Sequence, residues 1–249
     1  MKRENIVCGR GVVREILKSN INIDVLYVDR KINIRLLDDI LYKARENDVD
    51  IRFVCKSDIY NMCKNEVNQG VVAKISGYRY LKFNECLENL ESEKLPFILI
   101  LDSIQDPRNL GAILRSAECM GIKNIIIPQK RSVGITNIVW KASMGAVAHL
   151  NICRVNNLLN VVQILKDRLF KIVATDIGSS SDIRDMECNF PIALIIGSEH
   201  DGISNSLLEE CDFRVKIPMF GSIESFNVSV ATAIIMYEIR NKQRRAILS

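Results

Sequence analysis

Histidine is scarce in this sequence, and its cysteines lack metal-binding spacing. Its 249 residues include two histidines, and the eight cysteines (8, 55, 63, 86, 119, 153, 188 and 211) form no CxxC pair. A zinc site is thereby disfavoured. Scattered thiols of this kind fit a reducing, cytoplasmic compartment, where they serve as small core hydrophobes. No apolar run approaches the roughly 20 residues of a membrane span. Residues 1–14 carry charges among their apolar positions, unlike a signal peptide. The phosphate-binding runs GxxxxGK[ST] and GxGxxG are absent, which argues against a P-loop or ordinary dinucleotide enzyme. Aromatic residues make up only 6%, so any nucleic-acid recognition would lean on shape and phosphates more than on stacked bases.

What is present suits a globular α/β protein. Net charge is 34 − 30 = +4, compatible with nucleic acid without demanding it. Residues 1–78 alternate short helical and strand patterns: helices over 11–19, 34–46 and 57–65, the last capped by Ser57, and strands over 25–28, 51–54 and 70–75. The glutamate-bearing stretch 79–95 breaks the pattern and reads as a linker. From 96 to 249 a second series follows. Its strands lie over 97–101, 124–127, 150–153, 171–175, 192–196 and 213–217, with helices over 108–120, within 136–147, and over 158–169 and 226–244. Strands this continuously apolar argue for a parallel sheet covered on both faces. The cluster Arg240, Lys242, Arg244 and Arg245 reads as a helix end favoured by the helix dipole.

Two runs at strand ends stand out. One is Ile195-Ile196-Gly197-Ser198-Glu199-His200-Asp201-Gly202, and the other extends from Ile217-Pro218-Met219 to Phe226-Asn227-Val228-Ser229. Polar and small residues at the carboxyl ends of parallel strands are where open α/β sheets bind ligands. A third run, from Asp102 to Ala117, puts Leu110, Ile113, Leu114 and Ala117 on one helix face and carries Asn109 and Arg115. Taken singly, Arg115 reads as a surface arginine, Glu199 as an acid beside a helix start and Ser225 as an N-cap.

Together the three runs resemble the SpoU (TrmH) branch of the SPOUT RNA methyltransferases. Its members carry N-x-G-x-x-x-R-[ST]-A, then G-S-E-x-x-G, then I-P-M-x-G-x-x-S-L-N-V-S. The corresponding residues here are Asn109 to Ala117, Gly197 to Gly202 and Ile217 to Ser229. Asn68-Gln69-Gly70-Val71-Val72-Ala73 is similar to the HQGVVA run of the 23S rRNA guanosine 2′-O-methyltransferase subgroup. Asn68, His200 and Phe226 depart from the commonest residues.

The resemblance implies a C-terminal α/β-knot with a deep trefoil knot, preceded by a small L30e-like RNA-binding domain. It implies S-adenosylmethionine as cofactor, held near Thr175, Gly197, Ile217, Met219 and Phe226, with no metal. It also implies a homodimer acting on the 2′-hydroxyl of a ribose, with 23S rRNA guanosine the first choice of substrate. A tRNA guanosine, a 23S rRNA adenosine and a non-catalytic assembly role stay open. Arg115 would stand at the reacting hydroxyl, with Asn109, Glu199, Ser225 and Asn227 orienting it. A guanidinium deprotonates only above about pH 12, so Arg115 is better suited to binding phosphate and steadying an alkoxide than to acting as a base. His200 is the competing candidate base; His149, in an apolar stretch, reads as structural.

Overall fold

The computed structural model describes residues 5–63, 67–90, 93–198 and 201–248. Contacts divide the chain into two compact units: Met1–Arg79 with Ile135–His149, and Tyr80–Gly134 with Leu150–Ser249.

The first unit is a four-stranded sheet in the order β1-β4-β2-β3, built from β1 (Asn5–Cys8), β2 (Ile23–Asp29), β3 (Asp50–Val54) and β4 (Val71–Ile75). β4 pairs antiparallel with both neighbours, while β2 and β3 are parallel. Helix α1 (Arg10–Leu17) buries Val12, Val13, Ile16 and Leu17, and α2 (Asp38–Glu46) buries Ile40, Leu41 and Ala44. Helix α3 (Lys56–Met62) closes a small core of Ile6, Cys8, Ile59, Cys63 and Val72. Within that core Cys8 and Cys63 are joined as a disulfide rather than lying as separate thiols.

Three details of this unit differ from the sequence pattern. Strand β1 is an addition. The stretch 34–46 splits into a 3₁₀ turn, Ile34–Leu37, and α2. Cys55, not Ser57, precedes α3, and its backbone N–H donates to Asp58 Oδ2 at 3.1 Å. The segment Ile135–His149 carries α6 (Asn137–Ala142) and a 3₁₀ turn, and His149 Nε2 lies 2.9 Å from Glu15 Oε2. A structural His149 is what that pair provides.

The second unit holds a six-stranded, wholly parallel sheet in the order β10-β8-β9-β5-β6-β7. Its strands are β5 (Phe97–Leu101), β6 (Asn124–Pro128), β7 (Asn151–Val155), β8 (Lys171–Thr175), β9 (Ile192–Ile196) and β10 (Phe213–Val215). Every residue of β5 and β9 is buried, which is why these strands are apolar without alternation. On one face Ile98, Ile100, Ala193 and Ile195 join Leu158, Val161, Val162 and Leu165 of α7 (Leu158–Asp167) in a continuous core. Side chains of a strand alternate between faces, so Phe97, Leu99 and Leu101 point the other way. Helices α5 (Pro107–Cys119) and α9 (Val228–Leu248) pack together within this unit. Residues 80–90, inside the stretch expected as a linker, belong to this unit by their contacts and carry α4 (Phe83–Glu88), whose Cys86 and Leu87 enter its core.

Two of the four C-terminal cations serve the fold. Lys242 Nζ donates to the carbonyls of Ile183 and Met186 (3.0 and 2.9 Å), and Arg240 donates to the carbonyl of Gly121 (3.2 Å). Buried Gln243 reaches the carbonyl of Phe190 at 3.2 Å. Burial pushes the thiols of Cys188 and Cys211 up to about 11. On the order of one in a thousand of either is then thiolate at pH 8. Iodoacetamide at that pH is expected to label exposed Cys55 and Cys119 first. Peptide mass spectrometry finding Cys188 or Cys211 alkylated as fast as Cys119 would contradict this packing.

Candidate active site

The chain runs outward through β5, β6 and β7, returns to the far side for β8, and comes back to β9 beside β5. Its direction therefore reverses between β5 and β9. In open α/β sheets the crevice outside the strand ends at such a reversal is the ligand site. A cleft of about 310 Å³ lies there, lined by Ser103, Gln105, Asp106, Asn109, Ser198 and Val228 among others.

Two helices begin at this cleft. Asp106 caps α5, its Oδ1 accepting from the Arg108 N–H at 2.8 Å, and Pro107 opens the helix. Asn227 caps α9: its Oδ1 accepts from the Ser229 N–H (3.0 Å) and hydroxyl (2.6 Å). Its Nδ2 donates to Asn109 Oδ1 at 3.2 Å, so two of the expected residues are in direct contact. The N-termini of a 13-residue and a 21-residue helix thus converge, and their exposed amide dipoles favour an anionic group. Ser225 is not the cap. It is exposed in the segment preceding α9, which starts at Val228 rather than at 226.

The turn after β9 closes on itself. Ser198 and Gly202 exchange two backbone hydrogen bonds of 3.1 Å, and the Asp201 N–H donates to Ser198 Oγ at 3.0 Å. Gly197 is buried, and a Cβ there would fall on the backbone of Gly202 and Ile203. Glu199 and His200 lie outside the described residues. Asp102, buried at the end of β5, ties the neighbouring loops together. Its Oδ1 accepts from Ser103 Oγ (3.0 Å) and its Oδ2 from the Ser204 N–H (3.1 Å). Asp102 and Ser198 are not among the site residues expected from the sequence. An acid closing a fully apolar strand was the available signal for Asp102.

Arg115 sits on the exposed side of α5, opposite buried Leu110, Ile113, Leu114 and Ala117, and makes no ion pair with a described residue. It does not line this cleft. Of the residues expected around the cofactor, Thr175, Gly197 and Ile217 lie at or just beyond strand ends. Thr175 closes β8 and pairs in register with Val215, two residues before Ile217, while β9 ends at Ile196, next to Gly197. Ile217 is half-buried, and Met219 and Phe226 are 37% and 42% exposed. Among the described residues no three His, Cys, Asp or Glu side chains gather as metal ligands. Nor is any described helix long and apolar enough to cross a membrane.

Comparison with known proteins supplies the family. The SpoU rRNA Methylase family matches residues 96–237, and the RNA 2′-O ribose methyltransferase substrate-binding family matches residues 6–81. A protein of Staphylococcus saprophyticus assigned to the TrmH family of tRNA/rRNA methyltransferases is 39% identical over 241 residues, covering 96% of each chain. The AdoMet-bound rRNA methyltransferase of Sinorhizobium meliloti superposes with a TM-score of 0.78 at 25% identity, over 96% of this chain and 87% of that one. The TrmH/SpoU tRNA-modifying enzyme of A. aeolicus aligns over 65% of this chain and 82% of its own, with a TM-score of 0.56 and 28% identity. The helix-covered parallel sheet, the convergent motifs and both family matches agree: the chain belongs to the SpoU (TrmH) family of RNA methyltransferases and has its SPOUT α/β fold.

Proposed function

We propose that this enzyme methylates the 2′-hydroxyl of a guanosine ribose in 23S rRNA, as a cytoplasmic homodimer. Coverage carries the rRNA assignment. The solved rRNA enzyme aligns with 96% of this chain, whereas the tRNA enzyme aligns with 65%. The substrate-binding family match over residues 6–81 supports the same reading, with residues 1–78 as an L30e-like RNA-binding domain and 96–249 as the catalytic domain.

When bound, S-adenosylmethionine supplies a methyl group on a sulfonium, electrophilic enough that orienting the acceptor and removing its proton are the main tasks left. Gly197 and Thr175 would hold it through backbone, and Ile217, Met219 and Phe226 would supply apolar contacts. Arg115 binds the phosphate beside the target ribose and steadies the developing alkoxide. The proton leaves to an RNA phosphate or to water. Asn109 and Asn227, bonded to each other, present the two helix N-termini to an anionic group in the cleft of their own chain, and Arg115 of one subunit works near the cofactor of the other. Ser225 and Glu199 complete the orientation of the ribose.

An apolar stripe on α9 supports the homodimer. Val230, Ile234 and Tyr237 are 45%, 36% and 60% exposed at helical spacing, and Phe220 and Ile223 in the preceding loop are 91% and 77% exposed. Ile234→Asp is expected to convert a dimer to monomer by light scattering, with helix content unchanged. A dimer that survives this charge would remove α9 from the interface. The substrate assignment is tested by methyl transfer to unmodified 23S rRNA, 16S rRNA and tRNA in parallel. Transfer at least tenfold faster to 23S rRNA is expected; preference for tRNA would overturn it.

A further inference from the structure

A second cleft, of about 360 Å³, opens at the carboxyl ends of β6 and β7. We propose that it is a further RNA subsite, taking a phosphodiester of the strand next to the methylated nucleotide. The proposal rests on RNA being the methyl acceptor, though not on which RNA.

Continuity is the first argument. Ser103, Gln105 and Asp201 line both this cleft and the one at the strand reversal, so the two form one trough. Charge is the second. Lys130 and Arg131 line only the outer part, are exposed, and form no ion pair with a described residue. Three carboxylates also line the trough; Asp106 lies in the inner cleft, where its Oδ1 caps α5. Asp102 is buried with both oxygens accepting from Ser103 and Ser204, so it does not compete for these cations. Asp201 lines both clefts and makes no ion pair with Lys130 or Arg131.

Preorganisation is the third argument. The loop bearing the cations is held on both sides: the Gln129 N–H donates to the Val155 carbonyl (2.8 Å), the Val133 N–H to the Ile104 carbonyl (3.0 Å), and Arg154 to the Gln129 carbonyl (3.1 Å). Cations on a fixed loop lose little entropy when they take a phosphate. Polar side chains complete the lining. Asn157 is committed to capping α7, its Oδ1 accepting from the Leu159 N–H at 2.9 Å. The neighbouring Asn156 is exposed and has both its amide donor and its acceptor to offer a base edge.

The test uses the full-length protein and a labelled pool of random 20-nucleotide RNAs, titrated over a salt series. The double variant Lys130→Ala, Arg131→Ala is expected to bind about tenfold more weakly at low salt. Its salt slope should be shallower by about 0.7, the value for one phosphate contact on a single strand. S-adenosylmethionine affinity should not change. Lys130→Arg with Arg131→Lys should restore the slope, and Asn156→Asp, an exposed change that repels phosphate, should weaken binding with the fold intact. RNA affinity and slope within twofold of wild type in both weakening variants would overturn the proposal, as would a wild-type protein that binds no RNA. If the slope changes as expected but 23S rRNA accepts no methyl group, the substrate assignment falls and the subsite stands.

Discussion

Arg115→Ala is expected to lower kcat by about 10²- to 10³-fold, the range for removing one donor that stabilises charge developing in a transition state. The change should be silent elsewhere. Arg115 is exposed on α5, away from the buried face formed by Leu110, Ile113, Leu114 and Ala117. Alanine is also the best helix former, so stability should stay within about 0.5 kcal/mol of wild type. Cofactor affinity should stay within about twofold, because the role proposed for Arg115 is exercised on RNA phosphate and the ribose oxygen. Arg115→Lys keeps the charge but loses the planar fork, so only part of the rate should return. Single-turnover kinetics beside calorimetric cofactor titration separates these effects. Strong loss of cofactor binding in Arg115→Ala would contradict the assignment.

Gly197→Ala is expected to damage both stability and cofactor binding. The added Cβ meets the backbone of Gly202 and Ile203. Backbone cannot swing aside as a flexible side chain would, and the turn is closed by the paired hydrogen bonds between Ser198 and Gly202. Overpacking of this kind destabilises by about 1–3 kcal/mol. In a chain of this size that is roughly 2–4 °C of Tm per kcal/mol. Opening the turn also moves the Gly197 backbone that we assign to the cofactor, so affinity should fall at least about tenfold. Gly202 is the control: its φ is +66° and a Cβ there meets nothing within 4 Å, so alanine adds only left-handed strain. A Gly197→Ala protein that melts and binds like wild type would show that the turn opens freely and does not shape the pocket.

The parts of this fold that were legible in the sequence are those where burial dictates residue type. Phe97–Leu101 and Ile192–Ile196 are buried on both faces, and their unbroken apolar runs announced a parallel sheet. The motif-bearing loops follow those strands directly, so their meeting at one end of the sheet was also readable. What was not readable depended on choices that neighbouring residues make equally well. Ser225, Asn227 and Ser229 are all good caps, and only the contact with Asn109 picks out Asn227. Strand β1 is four residues long beside a charged start, too short for its alternation to register. The grouping of Ile135–His149 with the first unit comes from tertiary contacts that no local pattern reports. Lys130 and Arg131 reach the trough only through the order of the strands, far from the motifs in sequence.

The central claim is that methyl transfer goes to a ribose 2′-oxygen, and one measurement addresses it directly. RNA labelled from methyl-tritiated S-adenosylmethionine is hydrolysed with alkali, which needs a free 2′-hydroxyl to cut the chain. The account predicts label in alkali-stable dinucleotides that release 2′-O-methylguanosine on further digestion. Label recovered in mononucleotides would mean that a base is the acceptor, and would contradict the proposed chemistry.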